Sequence, residues 1–289
     1  MAAPRFSYRA EFERGMRELG YLEGKNLTSE WRFADGRYER LPALAAELVD
    51  KKVDVIVTDS TVATKAAQRA TASTPIVMTT VGDPVGSGFA ASLARPGGNI
   101  TGLSLATTDT SSKWLELVKV IVPTASRVAV LSNPGTATAP VHLKNIHAAA
   151  RALTVTILPV EARSLEEIER AFATMALARP DAVVAIPDAV LNSHRERIAA
   201  LAIRHRLPLV GSSRFFAEAG ALASYGQNYA THRRRAAAYI DKIFKGAKPA
   251  ELPIEQPTTF ELIINRKTAK AIGQVIPHEL MLRVDAVIE

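Results

Sequence analysis

The sequence predicts an α/β protein made of two similar, doubly wound lobes. Val53–Pro84 and Ala182–Arg214 each run apolar strand, polar turn, helix, proline and second apolar strand, and the likeness continues on both sides. Hydrophobic residues make up 47% of the chain but aromatic ones only 6%, which suits Val, Ile and Leu strands covered by Ala-rich helices. At 289 residues the chain is long enough for each lobe to bury its own core. Two such lobes usually hold a ligand between them, so we expect a ligand cleft.

The elements of the first repeat follow from apolar periodicity and turn residues. In chain order they are helix Tyr8–Leu19, strand Asn26–Phe33, helix Tyr38–Val49, strand Asp54–Thr58, helix Val62–Ala70, strand Pro75–Thr80, a short helix through Leu93 and strand Ile100–Leu103. Asp59, Ser60 and Thr61 are helix-capping residue types, so they predict a helix start directly after a strand. The Pro-Gly-Gly-Asn run in residues 94–99 predicts the turn before the last strand.

A crossover then leads into the second repeat. Thr107–Ser112 caps a predicted helix over Lys113–Val122, and Pro123 introduces a strand that begins at Arg127. The later elements are helix Val141–Leu153, strand Thr154–Val160, helix Leu165–Ala176, the repeated stretch Ala182–Arg214, a strand ending near Tyr225, helix Ala230–Lys245, an extended connection with a strand over 252–265, and short helices Thr268–Ile272 and His278–Val287. The prediction is lobe 1 from 1–105 and 226–250 and lobe 2 from 106–225 and 251–289, joined by ordered crossing strands that act as a hinge.

The two halves of the repeat differ at their starts. The second half opens on the apolar strand RVAVLS from Arg127 before its first helix, whereas the first half starts almost directly on a helix. In doubly wound sheets of strand order 2-1-3-4-5 this opening strand is central and buried on both faces. We therefore expect lobe 1 to lack its first strand, the natural chain to start upstream, and the chain as given to be destabilised.

Composition and charge exclude several function classes. The chain has no cysteine, so it holds no disulfide, thiolate nucleophile or cysteine-bound metal. No apolar run approaches the roughly 20 residues that span a bilayer, and the start lacks the succession of a signal peptide. The net charge is +7, but the densest basic runs, from Arg195 and His232, belong to no nucleic-acid motif. We expect these runs to be solvated helix faces and predict no nucleic-acid partner.

Motifs for cofactors and catalysis are weak. Gly86, Gly88 and Ala91 spell G-x-G-x-x-A after a strand, but a Gly-Asp-Pro turn intervenes and breaks the tight strand-to-helix turn of a dinucleotide fingerprint. The six histidines lack the spacing of a zinc helix, and the chain has no nucleophile elbow, P-loop or S-x-x-K. We therefore predict no cofactor, no metal and no catalytic residue.

Polar turns follow the strands of both repeats, and they are the candidate binding site. In open α/β sheets ligands bind outside the carboxyl ends of the strands, where helix N-termini offer N–H donors to a carboxylate. The candidate ligand-binding residues are Ser60, Thr61, Val81, Gly82, Asp83, Asn133, Asp188, Ser212, Ser213, Phe215, Tyr225 and Asn228. The assigned roles are anion binding for Ser60 and Thr61, amine pairing for Asp83 or Asp188, and packing of the ligand body for Tyr225 or Phe215. For each residue a structural role, as helix cap, turn former or hinge packing, is the alternative.

Blocks of sequence that together cover nearly the whole chain carry a family resemblance. They are RELGYLEGKNL from Arg17, RLPALAAELV from Arg40, VDVIV from Val53, TPIVM from Thr74, GDPVGSGFAASLARPGGNITGLS from Gly82, RVAVL from Arg127 and RAAAYIDKIFKGAKPAELPIEQPTTFELIINRKTAKAIG from Arg235. In sequence and order these blocks resemble the tryptophan/tyrosine-type group of bacterial ABC-transporter solute-binding proteins.

The resemblance implies a type I periplasmic-binding-protein fold of two Rossmann-like lobes with crossing hinge segments and no catalytic activity. It also implies a small-molecule ligand (an amino acid, aromatic or carboxylate compound), an ABC-transporter permease as partner, and a periplasmic location. The membrane is then reached only through the permease or an upstream lipid anchor. Two alternatives stay open from the residues: a ligand-sensing regulatory module, which needs a DNA-binding domain, and an enzyme, which needs a convergent acid/base set.

Overall fold

A computed structural model describes residues 3–35, 37–105, 110–136, 138–256 and 260–289. The helices are α1 (Ala3–Glu18), α2 (Leu41–Asp50), α3 (Thr61–Ala70), α4 (Ser111–Ile121), α5 (Ala139–Leu153), α6 (Leu165–Ala178), α7 (Ala189–Ser193), α8 (Arg195–Arg204), α9 (Arg214–Glu218), α10 (Tyr229–Phe244), α11 (Arg266–Ile272) and α12 (His278–Met281). The strands are β1 (Ile56–Thr58), β2 (Ile76–Val81), β3 (Ile100–Ser104), β4 (Arg127–Ser132), β5 (Thr156–Glu161), β6 (Ala182–Ala185), β7 (Leu209–Gly211), β8 (Ala223–Gln227), β9 (Phe260–Asn265) and β10 (Ala286–Ile288). Short 3-10 turns cover Tyr38–Arg40 and Pro249–Glu251. In these ranges no helix is both long enough and apolar enough to cross a membrane.

The chain divides into two compact units. Unit 1 comprises Met1–Ala106 and Tyr229–Thr258, and unit 2 comprises Thr107–Asn228 and Thr259–Glu289. These bounds differ from the predicted lobes, which gave 226–228 to lobe 1 and 251–258 to lobe 2. Glu255 explains the second difference, because its carbonyl accepts a hydrogen bond from the Ser104 N–H at 2.9 Å and its own N–H donates to the Gly102 carbonyl at 3.0 Å. The connection after α10 thus runs along β3 of unit 1.

Unit 1 is a parallel sheet with helices on both faces. The described strands pair in the order β1-β2-β3, and Ile76 of β2 is in register with Ile56 on one side and Ile100 on the other. Side chains alternate along β2: Ile76 and Met78 join one buried cluster, whereas Val77 packs in the cluster that α1 and α10 cover. Both faces of β2 are therefore buried, as expected for a strand inside a parallel sheet.

Two predicted elements of unit 1 are wrong. The stretch Asn26–Phe33 does not form a strand. Its backbone makes a single bridge, between Glu23 and Leu27, and pairs with no other described residue. Trp31 instead stacks on Phe33, with ring centroids 6.1 Å apart. The short helix through Leu93 is a series of turns in the structure, where Gly88 adopts a φ of +72° that helices exclude.

Unit 2 has the strand order that the repeat predicts. Its described strands run β10-β9-β8-β7-β6-β4-β5, so β5-β4-β6-β7-β8 reproduces 2-1-3-4-5 in parallel, and β9 adds an antiparallel strand beside β8. The interior strand β4, between β6 and β5, is buried on both faces: Val128 and Val130 join one cluster and Ala129 and Leu131 the other. The doubly wound prediction is confirmed here.

The C-terminal segment departs from its prediction. The predicted helix over His278–Val287 ends at Met281 as α12, and residues from Ala286 form β10. Val287 lies in register with Ile264 of β9 in a parallel pair. The helical pattern stops there because the sheet edge at β9 offers backbone partners that a helix would forgo.

Candidate functional site

In unit 1, the polar site begins where β1 ends. Ser60 is the N-cap of α3, and its side chain accepts a hydrogen bond from the Ala63 N–H at 3.3 Å. Its φ of +124° is rare for a residue other than glycine and stores strain. Thr64, one turn into the helix, donates its hydroxyl to the Ser60 carbonyl at 2.9 Å. The capping role of Ser60 is therefore present, in a backbone conformation that capping alone does not require.

Asp59 is held by three donors from other elements. Its Oδ1 accepts from the hydroxyls of Thr79, at 3.2 Å, and Thr80, and its Oδ2 accepts from the guanidinium of Arg233 on α10 at 3.1 Å. The side chain of Arg233 is only 5% exposed, whereas that of Asp59 is 29% exposed. The guanidinium also lies 5.8 Å from the centre of the Tyr229 ring. These contacts fix the orientation of the Asp59 carboxylate, which remains partly exposed to solvent.

His232, the residue before Arg233, contacts the neighbouring strand β2. His232 is buried, and burial lowers the pKa of His232, so the imidazole is neutral at neutral pH. Its Nδ1 lies 3.3 Å from the carbonyl of Thr79 and donates to it. His232 and Arg233, successive residues of α10, therefore bind β2 and the residue that follows β1. Arg233 places a positive charge beside Asp59.

Val81 is the last residue of β2, and Gly82 and Asp83 lie in the turn that follows. Val81 is fully buried, whereas the Asp83 carboxylate is exposed and accepts the Gly86 N–H at 2.8 Å. The Asp83 carbonyl accepts the Ser87 N–H at 3.0 Å. Asp83 thus braces its own turn and keeps free lone pairs toward solvent.

In unit 2, two candidate residues are in direct contact. Asp188 caps α7, with Oδ1 accepting the Leu191 N–H at 2.9 Å. Its Oδ2 accepts the Thr136 hydroxyl at 2.5 Å and the Asn133 amide at 3.3 Å, and Asn133 Oδ1 in turn accepts the Gly135 N–H at 2.9 Å. These bonds tie the turn after β4 to the turn after β6, so Asn133 and Asp188 lie at one end of the sheet.

The turn after β7 carries two buried hydroxyls and an aromatic ring. Ser212 and Ser213 are 3% and 2% exposed. Phe215, on α9, lies under the guanidinium of Arg195 at 5.8 Å from the ring centre. Phe215 is therefore held in a cation–π contact at the start of α9.

The end of β8 combines an aromatic stack with a polar pair. The Tyr225 ring stacks on Phe260 at 5.8 Å, and its carbonyl accepts the Trp114 indole N–H at 2.7 Å. Asn228 donates its amide to Glu261 at 2.5 Å. Tyr225 is therefore anchored through both its ring and its backbone.

Beneath α4, a serine and a histidine form a buried pair. Ser111 Oγ lies 2.8 Å from His142 Nδ1, and both side chains are fully buried. Burial lowers the pKa of His142 to about 4. The pairing resembles a nucleophile and its base, but both side chains are buried in the packing between α4 and α5 and neither reaches solvent. Within the described ranges no three His, Cys, Asp or Glu side chains are grouped to hold a metal ion.

Several polar residues at or near the strand ends were not among the predicted ligand-binding residues, although Asp59, Thr136 and Gln227 lie in the predicted binding turns. Asp59, Thr80, Arg233 and Thr136 make the contacts above, and Gln227, at the end of β8, is 2% exposed with no hydrogen-bond partner for its amide among the described residues. Asp59 had a sequence signal, since it directly follows a strand. Arg233 had none, because it lies 174 residues from its partner in a helix that reads as a basic surface.

The fold and its polar strand ends define a solute-binding protein of the type I periplasmic-binding class. The sequence model of the family described as ABC transporter substrate binding protein matches residues 5–288, and the chain belongs to this family. Its function is to bind a small organic solute for an ABC transporter, whose permease is the partner that the family implies.

Known proteins agree with this assignment. The chain is 27% identical over 263 residues to a "Tyrosine-binding protein" of Clostridioides difficile, covering 90% of this chain and 75% of that one. A crystal structure of a conserved domain protein from Vibrio cholerae has a TM-score of 0.90 at 29% identity, covering 97% of this chain and 94% of that one. An ABC domain from Streptococcus pneumonia in complex with L-Trp has a TM-score of 0.90 at 24% identity, covering 98% and 94%, and supports the fold.

Proposed function

We propose that this protein captures an aromatic amino acid in the periplasm and delivers it to the permease of an ABC importer. The observation that carries the proposal is the family match over residues 5–288. The ligand class is supported by two similar proteins whose names state tyrosine and L-Trp as what they bind. Both ligands pair an α-amino acid head group with an aromatic ring, which needs charged groups and an aromatic contact.

Residues at the strand ends supply such groups. In unit 1, Ser60 and Thr61 bind the solute carboxylate, aided by the N–H groups of Thr61 and Val62 in the first turn of α3, which have no acceptor within the helix. Val81 is at the end of β2, and Gly82 and Asp83, in the turn after it, line the adjoining surface. The proposal is supported by the strained φ of Ser60, because strain of this kind persists where function requires it.

In this proposal unit 2 has its own set of solute-binding residues. Asn133 and Asp188 form one polar pair, Ser212 and Ser213 offer hydroxyls, and Tyr225, Phe215 and Asn228 contact the solute body. This last set combines aromatic faces with an amide, as aromatic ligands with polar substituents require.

The proposal also covers location and chemistry. The protein acts outside the cytoplasm, reaches the membrane through the permease, and releases its solute chemically unchanged. Support comes from the family, whose description is a substrate-binding protein and not an enzyme. An incubation of bound solute with the protein, followed by mass spectrometry, is expected to return the solute unaltered.

A ligand screen tests the function directly. Thermal-shift assays with the proteinogenic amino acids, aromatic carboxylates and sugars, followed by calorimetry of the hits, should give stabilisation by L-tyrosine or L-tryptophan that grows with concentration, because a ligand that binds only the folded state raises its stability. Stabilisation only by sugars would refute the ligand class. Failure of every solute in the panel to bind would refute the function.

A further inference from the structure

We propose that Asp59 is a solute-binding residue that accepts the ammonium group of the ligand, and that Arg233 is its positioning residue. This inference rests on the proposed function and deepens it, since it requires the solute to carry a primary amine. It replaces Asp83 and Asp188 as the first choice for amine recognition.

The carboxylate of Asp59 is oriented but not saturated. A carboxylate offers about four lone-pair sites, and the described contacts use two on Oδ1, from Thr79 and Thr80, and one on Oδ2, from Arg233. The side chain is 29% exposed, so part of it is accessible to solvent and the carboxylate has room for a further donor. Since donors from β2 and α10 fix both oxygens, the acceptor direction is set before a ligand arrives.

The other strand-end carboxylates are less suited to this task. Asp83 is exposed on its own turn, where its main described contact is the Gly86 N–H. Asp188 accepts the same number of hydrogen bonds as Asp59, but one of them caps α7 and the other two join two turns, so its position is explained without a ligand. Asp59 caps no helix, because Ser60 does so.

The buried arginine is explained by this role. An ion pair with a buried member adds little net stability compared with apolar side chains of similar size, yet Arg233 is only 5% exposed beside Asp59. The positive charge of Arg233 balances the negative charge of Asp59, so the Asp59–Arg233 pair is close to neutral overall. The solute carboxylate proposed to bind at Ser60 and Thr61, directly after Asp59, is then not repelled.

A pair of ligands that differ only in the amine tests the inference. Calorimetry of the wild type and Asp59→Asn with L-tyrosine and with 3-(4-hydroxyphenyl)propionate, which lacks the amine, is expected to show a selective effect. Asp59→Asn keeps an oxygen for the threonine hydroxyls but removes the charge, so affinity for L-tyrosine should fall roughly 10- to 150-fold. Affinity for the amine-free analogue should not fall.

Two further variants separate recognition from folding. Asp181→Asn removes a carboxylate that accepts the Ser126 and Arg127 N–H groups at the opposite end of a strand in unit 2, and both affinities should stay unchanged. Arg233→Lys keeps the charge but loses the planar fork, and it should lower the preference for L-tyrosine over the analogue. Equal losses for both ligands in Asp59→Asn, or no loss, would overturn the proposal.

The wild type alone gives a test that needs no variant to fold. It should bind L-tyrosine, or whichever amino acid stabilises it most in the screen, more tightly than the amine-free analogue of the same side chain. If the wild type binds an aromatic carboxylate or a sugar but no amino acid, the ammonium proposal is overturned while solute binding stands. If it binds nothing in the panel, the proposed function fails first.

Discussion

The buried histidine of unit 2 predicts a measurable acid sensitivity. His142 is fully buried, its Nδ1 pairs with Ser111, and its Nε2 has no hydrogen-bond partner among the described residues. Burial lowers its pKa from 6.5 to about 4, so the folded protein resists protonation that the unfolded chain accepts. Above pH 6.5 this histidine does not reduce the free energy of unfolding. As the pH falls toward 4 the free energy of unfolding decreases, because the unfolded chain binds a proton that the folded protein does not.

The magnitude follows from the two pKa values. At pH 5 the unfolded state gains about 2 kcal/mol over the folded state from this one residue, rising to about 3 kcal/mol near pH 4. His142→Gln should remove this part of the pH dependence, at the expense of some stability at pH 7. His147→Gln is the matched control, because His147 lies on the same helix but is exposed.

The assay uses the tryptophan that contacts this histidine. Trp114 is fully buried with its ring 5.6 Å from that of His142, and the only other tryptophan in the sequence is Trp31. In a Trp31→Phe background, urea unfolding followed by fluorescence from pH 7.5 to 4.5 reports on unit 2 alone. If His142→Gln and its parent lose stability in parallel over this range, the assignment of the acid sensitivity to His142 is wrong.

Two other predictions concern a backbone contact and the binding turns. Gly102 has a φ of +127°, and a Cβ there would lie 2.2 Å from the Met78 carbonyl oxygen, so Gly102→Ala should destabilise unit 1 by about 1–3 kcal/mol or more in urea unfolding. Gly98→Ala, where a Cβ meets open space, should change stability little, and equal effects would refute the steric argument. Asp83→Ala and Asp188→Ala should each weaken solute binding in calorimetry, by less than Asp59→Asn does, because the turns contact the solute without binding its ammonium group. Unchanged affinity in a folded variant would show that its aspartate acts only within its own turn.

Local patterns determined much of this fold. The repeated strand, turn, helix and proline order predicted the parallel strands of unit 2 in their observed sequence, because alternating burial and short connections leave few topologies. The same reasoning located the polar turns at the carboxyl ends of the strands. Ser60 was recognised as a helix cap from residue type alone, and the structure has it as the N-cap of α3.

Strand identity near the start and end of the chain depended on partners. Asn26–Phe33 reads as a strand, but a strand exists only where a neighbour accepts its hydrogen bonds, and the described residues provide no such neighbour. Conversely, Ala286–Ile288 reads as the end of a helix and pairs with β9. Whether a segment forms a strand depends on a neighbouring backbone that accepts its hydrogen bonds, and the spacing of apolar residues does not specify that neighbour.

The contacts of the candidate site also depend partly on the sequence and partly on the tertiary structure. The sequence by itself determined that aspartates follow strands and that α10 is basic. Only the tertiary structure decided that Arg233, among three consecutive arginines, turns inward to Asp59, whereas Arg234 and Arg235 pair with the exposed carboxylates of Glu18 and Glu255. The reason is geometric: one helix presents neighbouring residues to different surroundings, and charge becomes specific only when a buried partner fixes its direction.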